Sequence, residues 1–193
     1  MLKTGTKNKI KLIFLLLLLV MISVIIIYNS VSLCLQTVYP RRYSELVSEN
    51  AQRYGIDEML LYALIETESG FDKNAVSSVG AKGLTQITTE TFEWLQTKTG
   101  ESYGAEALFE PEVSVKYGAF FLDYLLEEFE DEKTALAAYH AGRGQVNEWL
   151  KEPQYSPDGK TLSEIPFEDT SAYVKKVLRV RDRYCELYDM EDN

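Results

Sequence analysis

The sequence predicts a mainly α-helical domain behind an N-terminal transmembrane helix. Three observations carry this prediction. Lys3, Lys7, Lys9 and Lys11 precede a run from Leu12 to Tyr28 that holds no charge and one small polar residue, Ser23. Beyond it, apolar residues recur at helical spacing, with no convincing alternating strand. Glycine, proline and capping residues fall at the ends of these periodic stretches.

The N-terminal run has roughly 17 to 24 residues, the length of a bilayer-spanning helix. Four lysines before it put the N-terminus in the cytoplasm and the rest of the chain outside. A cleaved signal peptide is the competing reading and needs a shorter apolar region with small residues at the cut. Leu33 directly before Cys34 is a poor lipoprotein signal. Either way the domain is exported. The chain thus divides into residues 1–40, a basic cytoplasmic tail, signal-anchor and short linker, and residues 41–193, the exported domain.

Tyr43–Tyr54 is the first helix of that domain. Asp57 can cap a second, in which Leu60, Leu61, Leu64 and Ile65 recur. Thr88 or Thr89 can cap a third that carries Phe92 and Leu95. Pro111 suits the first turn of a long helix with Val113, Tyr117, Phe120, Phe121, Tyr124 and Leu125 on its inner side. Thr134–His140 ends at Gly142, a C-cap, and Val146, Trp149 and Leu150 belong to a short helix. Residues 151–169 hold Pro153, Pro157 and Pro166 and read as a long loop. Within it, Lys160–Ile165 is the one candidate for a small hairpin element. Thr170 can cap the last helix, with Tyr173, Val174, Val177, Leu178 and Tyr184 inward.

Residues 1–40 contribute four lysines and no acid, so residues 41–193 carry 16 basic and 30 acidic groups, net −14. No basic stripe exists to neutralise phosphates, which argues against a nucleic-acid partner. Two cysteines and one histidine offer too few soft ligands for a zinc site, and no cofactor is called for. One disulfide, Cys34 to Cys185, is the only intrachain pairing, and the place of Cys34 beside the apolar segment counts against it.

Helical positions i, i+3, i+4 and i+7 share a face. From Leu61 these are Leu64, Ile65 and Glu68, so Glu68 continues an apolar stripe. Glu66, about 200° around the helix from Glu68, should face outward. A carboxylic acid held against apolar packing keeps its proton near neutral pH, as a group that protonates a leaving oxygen must. A lone glutamate at a helix end can equally cap, pair or reach water. The glycines that follow, Gly80 and Gly83, let a backbone turn and approach a ligand closely, and Gln86 offers both a donor and an acceptor.

Glu68-Ser69-x-Phe71, Ser77 and Gly80-Ala81-x-Gly83-Leu84-x-Gln86 together resemble the bacterial soluble lytic transglycosylase catalytic domain. Ala138-Tyr139-His140-Ala141-Gly142 is similar to that family's Ala-Tyr-Asn-Ala-Gly. Ile165-Pro166-Phe167-Glu168-Asp169-Thr170, with Tyr173-Val174, is similar to its Ile-Pro-x-x-Glu-Thr block. The resemblance covers roughly residues 42–188. It implies a lysozyme-like helical fold and cleavage of peptidoglycan glycan strands, with membrane lipid met only through the N-terminal helix. Glu68 is then the catalytic acid. It protonates the oxygen between N-acetylmuramic acid and N-acetylglucosamine, and its carboxylate next takes the proton of the muramic C6 hydroxyl, which closes on C1. The product is a 1,6-anhydromuramic end. Ordinary glycosidases need two carboxylates; here the substrate supplies the nucleophile.

The resemblance also gives Ser77 and Gln86 substrate contact or orientation of Glu68, Tyr139 a hydrogen bond near the acid or the glycan, and Asp169 the positioning of substrate or backbone. The plain alternatives are a turn for Ser77, a satisfied core phenol for Tyr139 and support of the Thr170 cap for Asp169. Three departures stand out. Thr85 replaces a methionine, removing an apolar contact on a sugar face. His140 replaces asparagine and either donates to a sugar or fills a helix end. Asp169 is one methylene shorter than glutamate. The rival functions are a lysozyme-type hydrolase and a non-catalytic glycan-binding or assembly protein.

Overall fold

The computed structural model describes residues 3–188; Met1, Leu2 and residues 189–193 of the two predicted segments lie outside the described residues. The chain divides into two units between Pro40 and Arg41. The first is one helix, α1 (Lys3–Val38), whose side chains from Leu12 to Leu19 are all exposed. Its stretch Lys11–Val38 is long and apolar enough to cross a membrane. At 1.5 Å per residue those residues reach about 42 Å, more than the roughly 30 Å of a hydrocarbon core.

The second unit holds α2 (Ser44–Tyr54), α3 (Glu58–Ser69), α4 (Thr89–Thr99), a 3-10 turn (Ala105–Phe109), α5 (Pro111–Phe129), α6 (Glu132–Ala141), α7 (Arg143–Trp149) and α8 (Glu168–Tyr188). The centre is α3. Asp57 caps it by accepting from the Leu60 N–H at 2.9 Å. Leu61, Tyr62, Ala63, Leu64 and Ile65 are all fully buried. The predicted apolar stripe is therefore part of a helix enclosed on every side, with α8 as its most extensive neighbour and α2 as another. Thr88 caps α4 through the Thr91 N–H, and Pro111 opens α5. The inner face of α5 is wider than its sequence stripe. Val115, Ala119 and Leu122 are fully buried, whereas Phe120 and Tyr124 are half-buried.

Three local expectations need correction. The sixth helix starts two residues before Thr134, because the Asp131 carboxylate accepts from both the N–H and the hydroxyl of Thr134, at 2.8 and 2.6 Å. Helix α8 starts at Glu168 rather than behind a Thr170 cap. The Ser171 N–H already reaches the Phe167 carbonyl at 2.9 Å, and Thr170 is buried. Lys160–Ile165 forms turns, not a hairpin. The Asp158 carboxylate accepts from the Lys160 and Thr161 N–H groups, and the Leu162 N–H goes to the Thr134 hydroxyl. Side chains thus satisfy backbone groups that a strand would have paired.

Among the described residues the only β pairing is two isolated bridges, Val76 with Lys82 and Lys82 with Ile87. They fold the segment between α3 and α4 back on itself. Gly83 is required at its inner edge. It has φ +74°, and a Cβ there would stand 1.9 Å from the Leu108 carbonyl oxygen.

Candidate active site

Glu68 occupies the last turn of α3, where the buried run of the helix ends and Gly70 closes it. The Tyr173 hydroxyl, 105 residues later on α8, donates to Glu68 Oε1 at 2.5 Å. Burial raises the Glu68 carboxyl to about 7, against the opposing effects of the Tyr173 hydrogen bond and the Lys176 charge. The carboxyl can therefore hold its proton near neutral pH. The neighbouring Glu66 is half-buried rather than fully outward, and burial raises it too, opposed by Lys176 and Arg42.

Tyr139 comes from the end of α6. Its hydroxyl donates to the Thr85 carbonyl at 2.8 Å, and its ring lies 4.9 Å from that of Phe121. Burial and the charge of Glu68 push both the Tyr139 and Tyr173 phenols well above 10. Both stay protonated and serve as donors. His140 stacks on the Tyr173 ring, with centroids 4.4 Å apart and planes 29° apart, and its Nδ1 is 3.1 Å from the Thr170 hydroxyl. A cavity of about 410 Å³ opens beside these groups, with Trp94, Phe121, Tyr139, His140 and Arg143 on its walls. Aromatic faces beside polar edges suit the apolar faces and hydroxyl rims of a sugar.

The other predicted residues lie further from the acid in function. Ser77 accepts the Ala81 N–H at 3.0 Å and so shapes its own turn. Gln86 donates its amide to the Ala75 and Gly83 carbonyls at 3.1 and 2.8 Å, clasping the loop rather than the Glu68 carboxyl. Asp169 is exposed and accepts the Thr170 N–H at 2.8 Å, inside the first turn of α8. Thr85 is fully buried, so it presents no side chain to a sugar. Its hydroxyl donates to the Ser114 carbonyl at 2.9 Å. The sequence places Tyr173 inward by its helical phase and next to the Ile165–Thr170 block by resemblance, with no role given to it. Its partner was legible only from the rule that a buried phenol needs one. Among the described residues, no cluster of three or more histidine, cysteine or acidic side chains stands ready for a metal.

The site of this helical domain thus joins one raised carboxyl, two phenolic donors and an aromatic-lined cleft. The Transglycosylase SLT domain family matches residues 45–161, more than half of the chain, and the chain belongs to that family. It is 32% identical over 148 residues to the soluble lytic murein transglycosylase of Salmonella typhimurium, covering 75% of this chain and 23% of that protein. It is 28% identical over 173 residues to the membrane-bound lytic murein transglycosylase C of Actinobacillus pleuropneumoniae, covering 78% and 47%. The 70 kDa soluble lytic transglycosylase of Escherichia coli superposes with a TM-score of 0.70 at 29% identity, over 79% of this chain and 25% of that one. The chain spans about a quarter of the length of the soluble relatives it matches.

Proposed function

We propose that this chain is a membrane-anchored lytic transglycosylase that cuts peptidoglycan between N-acetylmuramic acid and N-acetylglucosamine, with Glu68 as acid and then as base. The observation that carries the reading is the Glu68 carboxyl, raised to about 7 and held by the Tyr173 hydroxyl. A group that must give a proton and take one back works best with a pKa near the working pH. The second acid, Asp169, is exposed and engaged with its own helix start, which favours a substrate-borne nucleophile over an activated water. Tyr139 and the loop clasped by Gln86 frame the glycan, and the cavity beside His140 receives a sugar of the strand. Lys3, Lys7, Lys9 and Lys11 keep the N-terminus of α1 in the cytoplasm, so the domain from residue 41 onward works outside the membrane.

The test uses the full chain in detergent with purified peptidoglycan. Mass spectrometry is expected to find 1,6-anhydromuramic ends; reducing ends would assign the hydrolase reading instead. Glu68→Gln is expected to lower turnover by about 10²- to 10⁴-fold, the usual worth of a positioned acid. Unchanged wall clearing by that variant would overturn the assignment of Glu68, and no clearing by the parent chain would leave the binding or assembly reading.

A further inference from the structure

His140 is the only histidine of the chain and stands where the related pattern carries asparagine. Its ring meets two groups at once. One face stacks on Tyr173 at 4.4 Å, and Nδ1 meets the Thr170 hydroxyl at 3.1 Å. Tyr173 and Thr170 lie three residues apart on α8, so the imidazole bridges one helical turn of that helix from α6. The hydroxyl contact fixes the rotation of the imidazole, and the imidazole in turn limits where the phenol ring can swing. That phenol donates the hydrogen bond that holds Glu68. An asparagine can reach a neighbouring hydroxyl but has no ring to stack.

We propose that His140 is a positioning residue that holds the Tyr173 phenol on Glu68. The proposal rests on Glu68 being the catalytic acid. The groups that act on or face the Glu68 carboxyl are Tyr173 and Lys176 from α8 and Tyr139 from α6. Those around His140 are Asp169 and Tyr173 from α8, Arg143 from α7 and, across the cavity, Glu90 of α4. The direction of the effect follows from the Tyr173 bond, which stabilises the carboxylate and pulls the Glu68 carboxyl down against burial. Loosening the phenol therefore raises Glu68 further, and the alkaline edge of activity moves to higher pH.

The experiment measures rate against pH for the full chain in detergent with soluble glycan strands. In His140→Ala the alkaline edge is expected to rise by about half a pH unit and kcat to fall about threefold to tenfold, with KM within about twofold. His140→Phe restores the stacked ring but not the Thr170 contact, so it is expected to recover the edge and kcat only in part, to about the level of Thr170→Val. Thr170→Val is expected to shift the edge in the same direction as His140→Ala. In Tyr173→Phe, adding His140→Ala is expected to produce no further shift, because the effect runs through the phenol. A raised KM with an unmoved edge would make His140 a substrate contact and overturn the proposal, as would full additivity with Tyr173→Phe. Melting curves for each variant separate loss of fold from loss of position. If Glu68→Gln stays active, the functional reading fails. If it is inactive while His140→Ala matches the parent profile, this proposal alone fails.

Discussion

On Glu68 two opposing effects act on one proton. Burial favours the neutral acid, while the Tyr173 hydroxyl and the Lys176 charge favour the carboxylate. Burial is the larger, and its excess has a consequence for stability. The folded state holds this proton up to about 7, whereas an unfolded glutamate releases it near the usual 4.5. The folded chain therefore binds more protons in that window. The associated stability is full below the unfolded value and is lost as pH rises through about 7. Glu68→Gln removes the ionisation, so its melting temperature should gain on the parent at about pH 8 relative to about pH 5. The shift corresponds to on the order of 1–3 kcal/mol. Tyr173→Phe removes one opposing effect, so its alkaline activity edge should move up by about one pH unit and kcat should fall roughly tenfold. A rate profile of each variant checks both. Glu68 was legible in the sequence because helical phase distinguishes it from Glu66. Tyr173 was not, because phase places a residue inward but does not say which of its inward neighbours is polar.

Among the elements, α5 and the segment between α3 and α4 approach each other closely at Gly118. A Cβ on Gly118 would lie 2.3 Å from Thr85 Cγ2 and 2.5 Å from its Cβ. Thr85 sits in this notch with its N–H on the Ser114 hydroxyl and its own hydroxyl on the Ser114 carbonyl, at 3.2 and 2.9 Å. Its carbonyl is then fixed for Tyr139. Gly118→Ala gains helix propensity of roughly 1 kcal/mol, but the overlap outweighs that gain. The variant should lose about 1–3 kcal/mol by denaturant titration. The sequence marked Thr85 as a departure from a pattern and read it as a lost sugar contact. The structure turns it inward, because its fit depends on Gly118, and nothing local in the sequence joins residues 85 and 118. The capping signals at Asp57, Thr88 and Pro111 were legible because they act within one turn. Thr170 misled because its hydroxyl serves His140 instead of a helix end.

For the whole molecule, a basic, apolar first unit and an acidic second one divide the chain at residue 40. Helix α1 should retain the protein in the membrane fraction through alkaline carbonate extraction, and a chain beginning near Arg41 should leave it. Recovery of the intact chain in the soluble wash would remove the anchor from the proposed function. The helical class of the domain was legible throughout, since period and punctuation agree over most of its length. The arrangement of the site was not, since its groups come from four separated segments. Glu68, Thr85, Tyr139 and Tyr173 meet only after α8 has closed on α3. This order matters while the chain is being made. A nascent chain that has emerged only as far as the proline-rich loop carries the acid but not the phenol that holds it, and one face of α3 still lacks its cover. A protein interrupted before its last helix would therefore lack the Tyr173 hydroxyl that holds the Glu68 carboxyl.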